Sequence, residues 1–248
     1  MIRKALLAAA LAALGAPAQA VIGWHEQAPP GAYGGVAILD ACSGTLIAPR
    51  VILTAAHCLP DHAGPEQLRF LTIATGVDVK KSPAGGDPQA RRDIATGVED
   101  VRVNPGFHGH FGEPDLALLL LPAGSAEGLI PYALAAAPPP PGTKGLIVGY
   151  GWSDPVHHGT IGVKNVGRVT ISSLKDATLG LGGPSGFCTG DSGGPILSLD
   201  GTTIIGVASY YHGHHCALSN EFAARVDNQL PWITATFRQW GLQEPRIR

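Results

Sequence analysis

Charge is scarce in this chain. Only 15% of its 248 residues are Asp, Glu, Lys or Arg, whereas 45% are apolar. This excludes a disordered chain, which is poor in apolar groups and rich in charge. No run of Lys or Arg exceeds two residues, and the formal net charge is −2, or −4 once Arg3 and Lys4 leave with a leader. Nucleic acid is therefore not expected as a partner. After the leader no apolar run approaches eighteen residues, so the mature chain is expected to carry no membrane span. No H-E-x-x-H stretch occurs, which argues against a metal-dependent hydrolase of that kind. Internal repeats are absent as well. What is abundant is Gly, with 34 residues, and Pro, with 21. Such a composition breaks long helices and suits many short strands joined by turns, in one large all-β domain or two small barrels.

The first twenty residues read as a secretory signal. Met1-Ile2-Arg3-Lys4 is a basic start, residues 5–14 are apolar, and Ala18-Gln19-Ala20 is an A-x-A cleavage site. The apolar stretch has no polar face, as an amphipathic first helix would, and its ten residues are too few to span a bilayer. A second A-x-A, Ala16-Pro17-Ala18, would leave Gln19-Ala20 as a two-residue propeptide. The chain is expected to be secreted or periplasmic. In that compartment its four cysteines form two disulfides, with three possible connectivities.

Short runs rich in Val, Ile and Leu predict strands over 35–39, 43–47, 51–55, 68–74, 116–121, 145–148, 163–171, 195–198 and 203–209. Helical spacing appears only over 228–240, where Leu230, Ile233, Phe237 and Trp240 share one face. Residues 137–142, with four consecutive prolines, read as a stiff tie between two halves. The polar, glycine-containing stretch 80–92 reads as a surface loop.

Three segments carry chemistry. In Thr189-Gly190-Asp191-Ser192-Gly193-Gly194-Pro195 a serine sits on a tight turn that lets backbone approach a substrate. There the Gly190 and Ser192 N–H groups can point at one spot, as an oxyanion requires. In Leu53-Thr54-Ala55-Ala56-His57-Cys58 an apolar strand ends at a histidine tethered beside a cysteine, and such a histidine can take a proton from a serine hydroxyl. In Asp115-Leu116-Ala117-Leu118 a carboxylate stands at the mouth of an apolar strand, where it needs a partner. Glu113, Asp93 and Asp100 are rivals, but none opens so apolar a run.

In the order His57, Asp115, Ser192, these segments resemble the chymotrypsin/trypsin-like serine peptidase family, from Val21 to the C-terminal helix. The resemblance implies an all-β fold of two six-stranded antiparallel barrels, with the active site in the cleft between them and a C-terminal helix. The domains implied are 1–20 signal peptide, 21–127 N-terminal barrel and 128–248 C-terminal barrel plus helix. It implies Ser192 as nucleophile, His57 as general base and then acid, Asp115 as the group orienting the imidazole, and Gly190 and Ser192 as oxyanion hole. It also implies the disulfides Cys42–Cys58 and Cys188–Cys216, and Ser209 on the strand that pairs with the substrate backbone. Val21, once freed, would insert its ammonium against Asp191. The function implied is a secreted serine endopeptidase acting on polypeptides through an acyl-enzyme, as a monomer without cofactor. The alternative is a two-barrel binding or virulence-type protein with narrow or little proteolytic activity.

The specificity pocket departs from the family pattern. Gly186 stands at the pocket base where trypsin-like members carry Asp, and Tyr211 stands where open pockets have glycine. Glu221 lies near the pocket wall, where it either restores a negative charge or is solvated or hydrogen-bonded on the 216–221 loop. A small or medium apolar P1 side chain is the expectation. Seven histidines fall in His108-Gly109-His110, His157-His158 and His212-Gly213-His214-His215. H-x-H spacing can ligate zinc or copper, but metal sites need three or four convergent ligands. With nothing in the sequence bringing these loops together, no metal is expected and the histidines read as polar loop residues.

Overall fold

The computed structural model describes residues 21–61, 63–80, 89–153, 161–213, 216 and 220–248. The leader with its cleavage sites, most of the 80–92 loop, and His157, His158, His214 and His215 lie outside the described residues.

The chain enters through two short strands, β1 (Ile22–Gly23) and β2 (His25–Gln27), which both join the C-terminal half. The N-terminal half is one antiparallel sheet. It is built from β3 (Val36–Leu39), β4 (Cys42–Ala48), β5 (Val51–Thr54), β6 (Thr72–Thr75), β7 (Arg92–Thr96), β8 (Asp100–Val103) and β9 (Ala117–Leu120). Its order is β7-β6-β3-β4-β5-β9-β8, with no pairing between the two outer strands among the described residues. It is a half-barrel. The central strands β3, β5 and β9 are buried at every position, which is why they read as unbroken apolar runs and not as alternating ones.

The C-terminal half holds β10 (Ala133–Leu134), β11 (Lys144–Gly149), β12 (Asn165–Leu174), β13 (Thr178–Gly182), β14 (Ser185–Gly186), β15 (Pro195–Ser198), β16 (Thr203–Tyr211) and β17 (Glu221–Arg225). Six of these close a ring, β16-β15-β11-β12-β13-β17 and back to β16, all antiparallel. Off the ring, β10 pairs with β16 in parallel, β2 lies on β12, and β1 on β14. One large apolar core spans both halves, and a second lies within the N-terminal one.

The helix α1 (Leu230–Gln239) has Pro231 in its first turn, where a missing N–H costs nothing, and buries Ile233 and Phe237. At its end the Trp240 indole N–H reaches Asp100 Oδ2 at 2.8 Å, and Gln229 Oε1 before it accepts from the Asn104 amide at 2.9 Å. The last element therefore clasps β8 of the first half. The proline-rich stretch does not tie the halves together. The chain crosses earlier, where Tyr132 N–H donates to Leu46 O and Ala133 already pairs with Thr203, so the stiff segment belongs wholly to the second half.

Candidate active site

His57 sits in a single 3₁₀ turn, Ala56–Cys58, directly after β5, and the Cys42–Cys58 disulfide pins that turn to β4. Two hydrogen bonds aim it. Its backbone N–H donates to Asp115 Oδ1 at 2.9 Å, and its Nδ1 meets Asp115 Oδ2 at 2.6 Å. A carboxylate there accepts, so Nδ1 carries the proton and Nε2 is left as the free, basic nitrogen. Asp115 is buried just ahead of β9. Burial pushes its carboxyl up, yet hydrogen bonds from His57 and from the Ser209 hydroxyl, at 2.6 Å, more than offset this and hold it below the ordinary carboxylate value. The rivals stand elsewhere. Asp93 pairs with Arg91, Asp100 with Arg102 and Trp240, and Glu113 with backbone amides of its own loop.

Ser192 is half-buried and shares with His57, Asp115, Gly190, Ser209 and Tyr211 the lining of a cavity of about 590 Å³. The turn that carries it is held from the first half by Ser43. The Ser43 N–H donates to Ser192 O at 2.7 Å and its hydroxyl to Gly190 O at 2.8 Å, while the Gly193 N–H reaches Ala208 O on β16. Gly193 is required. At φ +81°, a Cβ there would lie 2.2 Å from both Ser43 O and Thr54 Oγ1.

Asp191, beside the serine, is wholly buried. Its carboxylate accepts N–H groups from Gly151 at 2.8 Å, from Cys188 at 2.9 Å, and from Val21. Burial pushes it up to about 7 against those bonds, and no cation answers it among the described residues. Val21 is buried as well, and Ile22 pairs with Gly186, so the start of the described chain packs onto the strand that carries Gly186. The second disulfide, Cys188–Cys216, ties the serine turn to the segment after β16.

Gly186 and Glu221, expected at the base and wall of the specificity pocket, are in direct contact. Glu221, on β17, is buried and presses its carboxyl against Gly186. A Cβ on Gly186 would lie 2.1 Å from Glu221 Oε1. This side chain is therefore not solvated on the loop. The Phe187 N–H bonds it, Oε1 has no hydrogen-bond partner, and burial, reinforced by the field of Asp191, pushes it up to about 8. Tyr211 lies directly opposite Glu221 across the strand pair, and its ring meets that of Phe187 edge to face with centroids 6.5 Å apart.

Among the described residues the histidine rings do not gather into one cluster. Glu113 gathers the backbone amides of His108 and His110, not their rings, and His212 packs among Phe111, Tyr210 and Phe222. Among the described residues the one Cys/His/Asp/Glu cluster tight enough for an ion is Cys42, His57 and Cys58, and both of its sulfurs are spent in the disulfide. Sequence reasoning missed Ser43 altogether and gave Ser209 only a place on the substrate strand, not its bond to Asp115. Ser43 and the side chain of Ser209 act across 147 and 94 residues of chain, and no local pattern marks such partners.

Comparison with known proteins agrees with this geometry. The family model described as Trypsin matches residues 21–233. Brachyurin of Leptuca pugilator is 31% identical over 219 residues, covering 77% of this chain and 85% of its own. Serine protease SP24D of Anopheles gambiae is 27% identical, covering 80% and 73%. Other relatives are much longer; the chain spans only 38% of coagulation factor XII of Rattus norvegicus, at 29% identity over 82% of this chain. Among solved structures, the fold matches neuropsin of mouse brain with TM-score 0.68 at 22% identity, covering 86% of this chain and 98% of that one. It matches a mutant of human heparin binding protein with TM-score 0.70 at 22% identity, covering 88% and 97%. The solved structures speak for the fold; the family match and the curated relatives make the chain a serine endopeptidase, a member of the trypsin family of serine proteases.

Proposed function

We propose that this protease hydrolyses peptide bonds through an acyl-enzyme on Ser192. Ser192 Oγ attacks the scissile carbonyl carbon while its proton passes to His57 Nε2. The Gly190 and Ser192 N–H groups receive the negative oxygen, and His57 then hands the proton to the leaving amine. Water, activated by the same imidazole, releases the acyl group. Asp115 keeps the tautomer and steadies the charged ring. The observation that carries this reading is the two-point grip of Asp115 on His57, at a cavity that Ser192 shares.

The finer readings follow from the same residues. The pocket favours a small or medium uncharged P1 side chain at neutral pH, since Tyr211 flanks it and the Glu221 carboxyl, still protonated there, occupies the space beside Gly186. Ser209 lies on the strand that would pair with the substrate backbone. Signal cleavage after Ala20 would turn the Val21 amide into an ammonium beside Asp191, so export itself would activate the enzyme, which acts as a secreted or periplasmic monomer. The halves 21–127 and 128–248 would be the two domains. A serine-directed phosphonylating probe tests the core of this: labelling at Ser192 of the form beginning at Val21 supports it. Folded protein that takes no label would leave the reading of a two-barrel binding protein instead.

A further inference from the structure

One buried cation is used by nothing in this mechanism. Lys164, just before β12, is almost wholly inside the protein, at the seam between the halves. Its Nζ donates to Tyr33 O at 2.7 Å and to Thr75 Oγ1 at 3.1 Å, both in the N-terminal half, and lies 5.4 Å from the centre of the Tyr150 ring. Tyr150 crosses the same seam, its hydroxyl bonding Gly76 O at 2.9 Å and Val36 O at 3.2 Å. From Tyr150 the connection runs straight to the serine turn. The Tyr150 N–H donates to Ser43 Oγ, which donates to Gly190 O, and the next amide, Gly151 N–H, donates to Asp191.

We infer that Lys164 is a positioning residue for the oxyanion turn, steadying Tyr150 and Ser43 as a neutral amine and loosening them as an ammonium. This rests on the serine-protease reading above. An ammonium has three protons for the two oxygen acceptors present and only the Tyr150 ring face, 5.4 Å away, for the rest, and a buried charge so poorly answered draws in water or forces the seam apart. No acid is placed to answer it among the described residues. Asp78, on the segment that pairs with Val163, accepts from the Lys80 amide, and Glu26 on β2 is exposed. The other titratable neighbours, Tyr33, Tyr132 and Tyr150, are phenols that burial keeps neutral. Burial alone pulls the amine down to about 7.

The turnover number then carries two ionisations on its acid side, that of His57 and that of Lys164. The experiment measures kcat against pH for the wild type, Lys164→Gln and Lys164→Met, each first shown to label at Ser192 with the phosphonylating probe. The expected wild-type slope of log kcat below pH ~6 approaches about two, and Lys164→Gln reduces it to about one. Lys164→Gln keeps a neutral N–H donor and should hold kcat at pH ~8.5 within about threefold of wild type. Lys164→Met, with no donor, should lose about tenfold, with KM unchanged in both. Where Lys164→Met does not fold, Lys164→Gln carries the test. Label at Ser192 with equal slopes in wild type and Lys164→Gln overturns this inference alone. Absence of label in the wild type overturns it together with the protease reading.

Discussion

Taking the hydroxyl from Ser192 or the imidazole from His57 removes the same proton transfer, so the two losses should not add. Ser192→Ala and His57→Ala are each expected to lower kcat by roughly 10⁴-fold or more, and the double variant by about as much as either single one. Steady-state kinetics on a peptide substrate checks this, and a multiplicative loss would separate the two roles. Asp115→Asn keeps the shape but donates where the carboxylate accepts, which favours the wrong tautomer of His57. A fall in kcat of about 10⁴ is expected. Glu221 behaves oppositely to most acids. Its folded value, about 8, lies above its ordinary one, so the folded state holds a proton that the unfolded chain has shed. Its contribution to stability is therefore fully present at low pH and declines as pH rises from the ordinary carboxylate range toward 8, by roughly 1.4 kcal/mol for each pH unit. Thermal melts of Glu221→Gln should lack this decline and show a higher Tm than wild type at pH 8; a parallel pair of curves would refute it.

Among the elements, the Cys42–Cys58 bridge and α1 make separate predictions. The bridge closes a loop across 16 positions and holds the His57 turn, so its removal by the double alanine variant should cost about 3 kcal/mol and lower kcat as well. Phe237, wholly buried on α1, should cost roughly 3–5 kcal/mol on replacement by Ala, with kcat of the folded fraction unchanged. Denaturant melts read both. The helix was legible because Leu230, Ile233 and Phe237 keep its period, and β3, β5, β9, β15 and β16 because their Val, Ile and Leu runs face apolar surroundings on both sides. Strands β7 and β8 were not legible. Arg92–Thr96 and Asp100–Val103 are half-exposed outer strands whose polar residues read as loop. Nor was β17, where Glu221–Arg225 buries its two alanines against Gly206 of the neighbouring strand. The run 68–74 was placed early, since residues 68–71 turn and only Thr72–Thr75 pair. At the site, the triad segments stood out because each couples an unusual residue to an apolar or glycine-rich frame. Ser43, the Ser209 side chain and Lys164 stayed hidden, because what makes them matter is a partner far along the chain.

At the scale of the whole molecule, the hydrogen bond from Val21 to Asp191 would, under the proposed activation by export, link maturation to chemistry. A form that keeps residues ahead of Val21 offers an amide where the mature form offers an ammonium, and the buried Asp191 is left without its counter-charge. Activity of the extended form is expected to be lower by on the order of 10²-fold, with N-terminal sequencing to identify each species. Full activity in the extended form would rule the insertion out. The unequal closure of the two halves has a consequence of another kind. Among the described residues the C-terminal ring leaves no open edge, but the N-terminal sheet ends in two strands each paired on one side only, and an open strand edge is a template on which other chains can grow. Those two strands carry Arg92, Asp93, Asp100 and Arg102, and Trp240 locks onto one of them through Asp100. The polarity that disguised these strands as loops also works as insulation: it disfavours the growth of one molecule's sheet onto the next.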